Sequence, residues 1–259
     1  MAQRIKIVLL GSGNVATHIA GGFQAAGCHI CAVYSRDISH AARLADTLAD
    51  CKPIDSPALV PVDADLYIIA SSDSAVAAIA SAMPDVKGIV VHTSGSVPIE
   101  TLAAASSRHG VLYPLQTFSR ESDVDLRRVP VFTEASDEKT LDDIDRYAAM
   151  ISDHVHHADS RRRTTLHIAG VISCNFVNYL WQLTQETLAR DGYTLDVVQP
   201  LVEATLKKAF EIGPYAAQTG PAARGDKETI KKHLALLPPH AAEIYRQLSD
   251  AISNAHNRQ

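Results

Sequence analysis

Cysteine is scarce in this sequence, which has four in 259 residues. That number suits reduced thiols rather than a disulfide framework. Cys28 and Cys31 superficially match a metal or redox pair, but they fall in a predicted strand, where residues three apart point to opposite faces, and no second pair completes a zinc site. His154, His156 and His157 are likewise divided between the faces of a short extended segment. We therefore predict no metal site.

Long apolar runs and basic blocks are also missing. No apolar stretch reaches the length of a membrane span, and no secretory signal precedes the first predicted strand. The net charge is −5, and the arginine run at 161–163 is too short to form a nucleic-acid-binding face. These absences predict a cytoplasmic protein that binds neither a membrane nor a nucleic acid.

A glycine-rich turn joins the first predicted strand to the first predicted helix. The apolar run 5–10 is typical of a buried strand, and it is followed by Gly11-x-Gly13-x-x-Ala16. The first glycine allows a tight turn, the second lets the backbone approach a diphosphate, and the alanine lets helix and strand pack closely. Free amides and the positive end of the helix dipole would face the phosphates. This pattern predicts a dinucleotide site formed by Gly11, Ser12, Gly13, Asn14 and Val15.

Strands and helices alternate through the first 150 residues. Strands are predicted at 5–10, 29–34, 65–70, 88–92, 110–115 and 129–133, with helices starting near residues 15, 39, 74 and 97. Such alternation predicts an α/β fold, with a Rossmann-type doubly wound parallel sheet.

The strand signals largely stop after residue 137. A helix is predicted at 141–151, and residues 154–158 form either a short strand or a linker. Further helices are predicted at 161–190, 195–212, 226–237 and 240–253. We therefore divide the chain into a dinucleotide-binding domain, 1–150, and an all-α domain for substrate binding and dimerisation, 151–259.

The end of the second predicted strand bears on which nicotinamide cofactor binds. An acidic residue there suits the 2′-hydroxyl of NAD, whereas arginine and small hydroxyls suit the 2′-phosphate of NADP. Ser35 and Arg36 fit the phosphate, because a guanidinium binds phosphate through paired hydrogen bonds. Asp37 complicates the assignment, since it could instead pair with Arg36 or cap the following turn. The sequence favours NADP over NAD.

Other polar residues follow the later strands. Ligands bind open α/β sheets at the carboxyl ends of the strands, although serine and aspartate are also ordinary cap and turn residues. Gln116 and Thr117, after a further strand, are also candidates for the same edge. The predicted cofactor-facing residues of the two preceding loops are Ser71, Ser72, Asp73, Thr93, Ser94 and Gly95.

Five motifs resemble those of one bacterial family: Gly11-Ser-Gly-Asn-Val-Ala16, Tyr34-Ser-Arg36, His92-Thr-Ser-Gly-Ser96, Tyr113-Pro-Leu-Gln-Thr-Phe118 and Thr219-Gly-Pro-Ala-Ala-Arg-Gly-Asp226. The family comprises Rossmann-like proteins with a helical C-terminal domain of unknown function, grouped with deazaflavin-dependent NADP oxidoreductases. More distantly, the chain resembles pyrroline-5-carboxylate reductase, ketopantoate reductase and the 6-phosphogluconate dehydrogenase group. The resemblance implies nicotinamide chemistry in a cleft between two domains, and dimerisation through the helices.

The long predicted helix departs from one branch of that superfamily. β-Hydroxyacid dehydrogenases carry a lysine there, but residues 167–178 contain none, so the lysine mechanism is not transferred. At 100° per residue, His167, Asn175 and Asn178 share one polar face. Imidazole transfers protons near neutral pH, which makes His167 a candidate proton donor and the asparagines candidates for orienting substrate. Alternatively, all three bond to neighbouring helices or to a partner subunit.

The loop 219–226 is a second candidate for contact with a substrate. Gly220 and Gly225 keep it out of a regular helix, and Arg224 could clamp a carboxylate or phosphate. Alternatively, a contact between Arg224 and Asp226 only fixes the turn.

Together these features predict an NADP-dependent oxidoreductase that acts on a small carbonyl or imine compound, or on the reverse pair, as a homodimer. A non-catalytic NADP-binding sensor or scaffold is the alternative. A purely structural dimer module, which would bind no nucleotide, is the third.

Overall fold

The computed structural model describes residues 4–256. The strands are β1 (Lys6–Leu10), β2 (His29–Tyr34), β3 (Lys52–Ile54), β4 (Leu66–Ile69), β5 (Ile89–His92), β6 (His109–Pro114), β7 (Val131–Ala135) and β8 (Val155–His157). The helices are α1 (Asn14–Ala25), α2 (Ile38–Ala45), α3 (Asp73–Ala82), α4 (Glu138–Ile151), α5 (Ser160–Gly170), α6 (Val177–Ala189), α7 (Gln199–Ile212), α8 (Pro214–Ala217), α9 (Lys227–Leu236) and α10 (Pro239–His256).

All of these strands join one sheet in the order β3-β2-β1-β4-β5-β6-β7-β8. The chain runs outward from β1 to β2 and β3, and then returns to place β4 on the other side of β1. The strand order therefore reverses between β1 and β4. In open α/β sheets, ligands bind in the crevice at the carboxyl ends of such a pair of strands. The loops after β1 and β4 are therefore the expected ligand-binding position.

Apolar residues cover both faces of the sheet, as the unbroken hydrophobic strands predict. From β1, Ile7 and Leu9 join the core cluster that includes Phe23 of α1. Val8 and Leu10 join the opposite cluster, with Val76 and Ile79 of α3. Cys28 belongs to the first cluster and Cys31 to the second, so the two thiols pack on opposite sides of the sheet.

Three features of the sheet and its connections differ from the sequence-based prediction. Strand β7 runs antiparallel to β6, because residues 115–130 form a loop and one short 3₁₀ turn rather than a crossover helix. Strand β3 was not predicted, since it is only three residues long and contains a proline. The helix predicted to start near Val97 is only a four-residue 3₁₀ turn, Ile99–Leu102.

The chain divides into two compact units, with the boundary between Cys174 and Asn175. The predicted boundary was near residue 150. The intervening residues cluster with the sheet because β8 pairs with β7 and because α5 is anchored by Arg163, whose side chain is fully buried. The second unit contains α6 to α10 and no strand among its described residues.

The long predicted helix is interrupted. Residues Val171–Phe176, between α5 and α6, form a π-helical turn. A π turn has i to i+5 hydrogen bonds, so the regular spacing of 100° per residue does not hold through this segment.

Within residues 4–256, none of the helices combines the length and apolar character that a membrane span requires.

Candidate active site

The glycine turn after β1 is fixed by close backbone contacts. Gly11 has φ +136°, and a Cβ built there would lie 2.0 Å from the carbonyl oxygen of Ala70, which follows β4. The amide of Gly11 donates to the carbonyl oxygen of Tyr34, at the end of β2, at 2.9 Å. Only glycine fits, because L side chains rarely adopt this φ and no space remains for a methyl group.

Gly13, unlike Gly11, has open space where a side chain would be. It has an ordinary φ of −81° as the N-cap of α1, and a Cβ there would have no protein atom within 4 Å. No side chain caps this helix, and its first turn contains no acidic residue. The first helical amides have no acceptor within the helix and carry partial positive charge. Open space in front of uncapped amides is what a diphosphate requires, so these residues fit a dinucleotide.

A cavity of about 940 Å³ opens at this edge of the sheet. It is bordered by the glycine turn, by the ends of β2 and β4, and by α3, and Gln116 and Phe118 also line it. The predicted cofactor residues that line it are Gly11, Ser12, Gly13, Asn14, Val15, Ser35, Arg36, Ser71, Ser72 and Thr93.

The residues after β2 separate into two roles. Asp37 caps α2, accepting a hydrogen bond from the amide of Ser39 at 2.9 Å. The side chain and the amide of Ser39 together lower the pKa of the Asp37 carboxyl group. Its other oxygen lies 3.7 Å from His40 Nε2. Asp37 is thus engaged with its own helix, while Ser35 and the exposed Arg36 face the cavity.

Two of the remaining predicted cofactor residues, Ser94 and Gly95, lie in the loop after β5, and the third, Asp73, is the first residue of α3. The hydroxyl of Ser94 accepts hydrogen bonds from the amides of Ser96 and Val97 at 3.1 and 3.0 Å. Ser96 Oγ bonds to Asp73, at the start of α3. Asp73, Ser94 and Gly95 therefore shape the loop next to the cavity and do not line the cavity itself. Their contact with a cofactor stays a prediction.

His92 lies at the base of this loop with no exposed surface. Its Nδ1 accepts a hydrogen bond from the amide of Ser94 at 3.1 Å, and its Nε2 has no partner among the described residues. Burial, with the positive charge of Arg163 nearby, lowers the pKa of His92 to about 4. The imidazole is therefore neutral at physiological pH.

Arg163 holds the same loop from the other side. Its Nε donates to the carbonyl oxygen of Ser94 at 3.1 Å, and its Nη2 donates to that of Val97 at 2.6 Å. Its Nη1 forms an ion pair with Glu134 of β7. The sequence predicted no role for Arg163 beyond its place in an arginine run, 161–163, that is too short to form a nucleic-acid-binding face. A local pattern does not reveal which one of the three turns inward.

His167 lies on α5 where that helix passes the loop. A Cβ on Gly95 would be 2.8 Å from the His167 ring, so only glycine permits this approach. The hydroxyl of Tyr113, from the end of β6, lies 3.2 Å from His167 Nδ1. Burial raises the pKa of Tyr113, while the charge of Arg163 partly opposes that effect. Two groups able to carry a proton thus stand in contact beside the loop.

The three remaining predicted site residues belong to the second unit. Asn175 lies in the π-helical turn and Asn178 lies beyond it, and both are exposed. Arg224 is exposed as well. Asp226 caps α9 through the amide of Thr229 at 3.0 Å, so its carboxylate is already engaged. The roles assigned to these three residues stay predictions.

Tyr113, Phe118, His92 and Arg163 were not identified as site residues from local patterns. Tyr113 and Phe118 belong to a motif noticed only through the family resemblance, and His92 precedes residues that were predicted. Within residues 4–256, no group of three His, Cys, Asp or Glu side chains could hold a metal ion.

Two family descriptions match the chain. Residues 6–94 match "NADP oxidoreductase coenzyme F420-dependent". Residues 129–252 match a domain of unknown function, DUF2520. No match to this chain was found among the curated proteins.

Several solved structures are similar along the whole chain. A candidate NADP oxidoreductase from Bacteroides fragilis is 35% identical, with a TM-score of 0.89, and the match covers 97% of this chain and 98% of that one. A reductive aminase from Aspergillus terreus, solved with NADPH and ethyl levulinate, is 14% identical, with a TM-score of 0.74 and coverage of 99% and 95%. An imine reductase from Streptomyces aurantiacus is also 14% identical, with a TM-score of 0.68 and coverage of 97% and 95%. The latter two show likeness of fold alone.

Proposed function

Because this chain belongs to the family of NADP oxidoreductases with a DUF2520 C-terminal domain, we propose that it reduces a small carbonyl or imine compound with NADPH. The contact between Tyr113 and His167 carries this proposal. Reduction of a C=O or C=N bond needs a proton source as well as a hydride, and a paired phenol and imidazole can relay one. When bound, NADPH supplies the hydride.

The cofactor assignment rests on the edge of the sheet at β1, β2 and β4. The amides at the start of α1 would bind the diphosphate. Ser35 and Arg36 would bind the 2′-phosphate. The carboxylate of Asp37 caps α2 and is not free to bind a ribose 2′-hydroxyl, which favours NADP over NAD. The reductive aminase that shares this fold was solved with NADPH.

His167 would donate the proton to the substrate, and Tyr113 would orient the imidazole and replenish its proton. Gly95 allows the ring to approach the loop after β5. Asn175, Asn178 and Arg224 are proposed to orient the substrate through their polar groups, as an amide or guanidinium can for a carbonyl or carboxylate.

The direct experiment is a screen of ketones, aldehydes and ketone–amine mixtures with NADPH, followed by the loss of NADPH absorbance. For any compound that reacts, His167→Asn and Tyr113→Phe should each lower kcat by about 10²-fold or more, while the Kd for NADPH stays unchanged. His154→Asn, at an exposed position, is the matched control.

If wild type binds NADPH but reduces no compound in the screen, reduction is contradicted and a role as an NADP sensor is favoured. If both variants retain full turnover, the proton-donor roles are contradicted even though the enzyme is active.

We further propose that the chain forms a homodimer through its helical unit. Large apolar side chains of that unit are exposed, including Leu201 at 67%, Phe210 at 85% and Tyr215 at 46%. So much exposed apolar surface is typical of protein interfaces rather than of monomer surfaces. A second copy of the chain is the occupant we propose.

Light scattering should then give twice the mass of one 27.9-kDa chain. Phe210→Lys should shift the population toward monomer. Leu59→Lys, in the first unit and also exposed, should not. A wild-type monomer at micromolar concentration would contradict the homodimer.

A further inference from the structure

The segment that follows β6, residues 115–125, lies on the glycine turn and on the first half of α1; we name it the strap. Asn14 Nδ2 donates to the carbonyl oxygen of Phe118 at 2.9 Å. His18 Nε2 lies 2.8 Å from the carbonyl oxygen of Ser119, and its ring is 5.0 Å from that of Phe118, centroid to centroid. Two side chains of α1 thus hold the strap against the helix that would face the cofactor.

This attachment brings Arg120 to the glycine turn. Its Nη2 donates to the carbonyl oxygen of Ser12 at 3.1 Å. A guanidinium has five N–H donors, so this bond leaves others for a ligand. Ser12 itself lines the cavity.

The groups that meet at the glycine turn favour an anion, although the strap also contains Glu121, Asp123 and Asp125. The first turn of α1 contains no acidic residue, and its free amides already carry partial positive charge. Arg120 adds a full positive charge beside them. From these contacts we propose that Arg120 binds the diphosphate of the cofactor and that the strap holds it in place.

This inference depends on NADP(H) binding, as put forward under the proposed function, and extends it to a second arginine. Arg36 faces the 2′-phosphate, which NADH lacks. Arg120 faces the diphosphate, which NADPH and NADH share. Adenosine 2′-monophosphate contains the first group and lacks the second. Binding of these three ligands therefore separates the two arginines without any measurement of turnover.

The experiment measures Kd for NADPH, NADH and adenosine 2′-monophosphate by calorimetry, with wild type, Arg120→Ala and Arg36→Ala. Arg120→Ala should weaken NADPH and NADH equally, by about tenfold, because a charge-assisted hydrogen bond is lost. It should leave adenosine 2′-monophosphate within about twofold of wild type. Arg36→Ala should weaken NADPH and adenosine 2′-monophosphate and spare NADH.

Arg128→Ala removes the same charge from an exposed position near the strap and should leave all three affinities unchanged. Arg120→Lys keeps the charge without the planar fork and should restore part of the affinity for both dinucleotides. This restoration would exclude a general loss of folding as the cause.

Two results would overturn the assignment: no change in any affinity for Arg120→Ala, or an equal loss for all three ligands. The second result would mean that Arg120 only fixes the glycine turn. Wild type that binds no nucleotide would overturn both this inference and the cofactor proposal. Wild type that binds nucleotide but reduces nothing would contradict the reduction alone, and the Arg120 comparison would still hold.

Discussion

Arg163 and Glu134 form an ion pair that joins α5 to β7, and the same guanidinium holds the loop after β5 through two carbonyl oxygens. The Arg163 side chain is 1% exposed and that of Glu134 is 18% exposed. A charge that is this deeply buried is tolerated only when it is paired and hydrogen-bonded. The pair therefore links three elements around the proposed proton donor.

Removing one partner of this pair should destabilise the protein. Arg163→Met should lower the free energy of unfolding by about 3 kcal/mol, because it leaves Glu134 without its cationic partner and two loop carbonyls without donors. The double variant Arg163→Met with Glu134→Leu should recover part of that loss. Urea denaturation followed by circular dichroism measures both, and a change below about 0.5 kcal/mol for the single variant would contradict the role assigned to the pair.

His92 should make stability depend on pH. Its pKa is about 4 in the folded protein, against 6.5 for an ordinary histidine, so the unfolded chain binds the proton more readily. Stability is therefore fully present above pH 6.5 and falls as the pH decreases from 6.5 toward 4.

His92→Asn should remove this pH dependence, because asparagine does not titrate. Its amide oxygen can still accept the hydrogen bond from the amide of Ser94. Between pH 7.5 and pH 5, wild type should lose about 2 kcal/mol of unfolding free energy more than the variant does. Equal losses for the two proteins would show that folding does not lower the pKa of His92.

Cofactor preference should follow Arg36 and not Asp37. Arg36→Ala should weaken NADPH by about thirtyfold, or about 2 kcal/mol, and change NADH by less than about twofold. Asp37→Ser keeps a cap for α2 and should leave the preference for NADPH unchanged. Fluorescence titration with each nucleotide checks both, and an equal loss of NADPH and NADH in Arg36→Ala would refute the 2′-phosphate site.

Gly95 should be required for the position of His167. Gly95→Ala would place a methyl group 2.8 Å from the imidazole, which must then move away from Tyr113. Once a substrate is known, kcat should fall by about tenfold or more. Unchanged kcat, with the fold intact by circular dichroism, would mean that His167 does not act from this position.

Local sequence patterns predicted the features that depend on neighbours in the chain. The glycine turn is one, because φ at Gly11 and open space at Gly13 are requirements of a few consecutive residues. The alternation of strand and helix from β1 to β5, apart from β3, is another, since apolar periodicity reports burial directly.

Local sequence patterns did not predict the features that depend on contacts between residues far apart in the chain. Arg163 is buried because Glu134 and the loop after β5 meet it, and neither is near it in sequence. The π turn at Val171–Phe176 interrupts the spacing of 100° per residue on which the predicted polar face of His167, Asn175 and Asn178 depends. The strap contacts α1 although about a hundred residues separate them in the sequence. No periodic pattern predicts such a contact.

The central claim is that the glycine turn binds the diphosphate of NADP(H), and calorimetric titration of NADPH into wild type and Gly13→Ala tests it most directly. At Gly13 the backbone suits any residue and no protein atom is near the new methyl group, so the variant should fold as wild type does. Wild type should bind NADPH, and Gly13→Ala should bind it at least about tenfold more weakly, because the methyl group occupies the approach to the diphosphate. Absence of binding by wild type, or equal affinity in the two proteins, would contradict the claim.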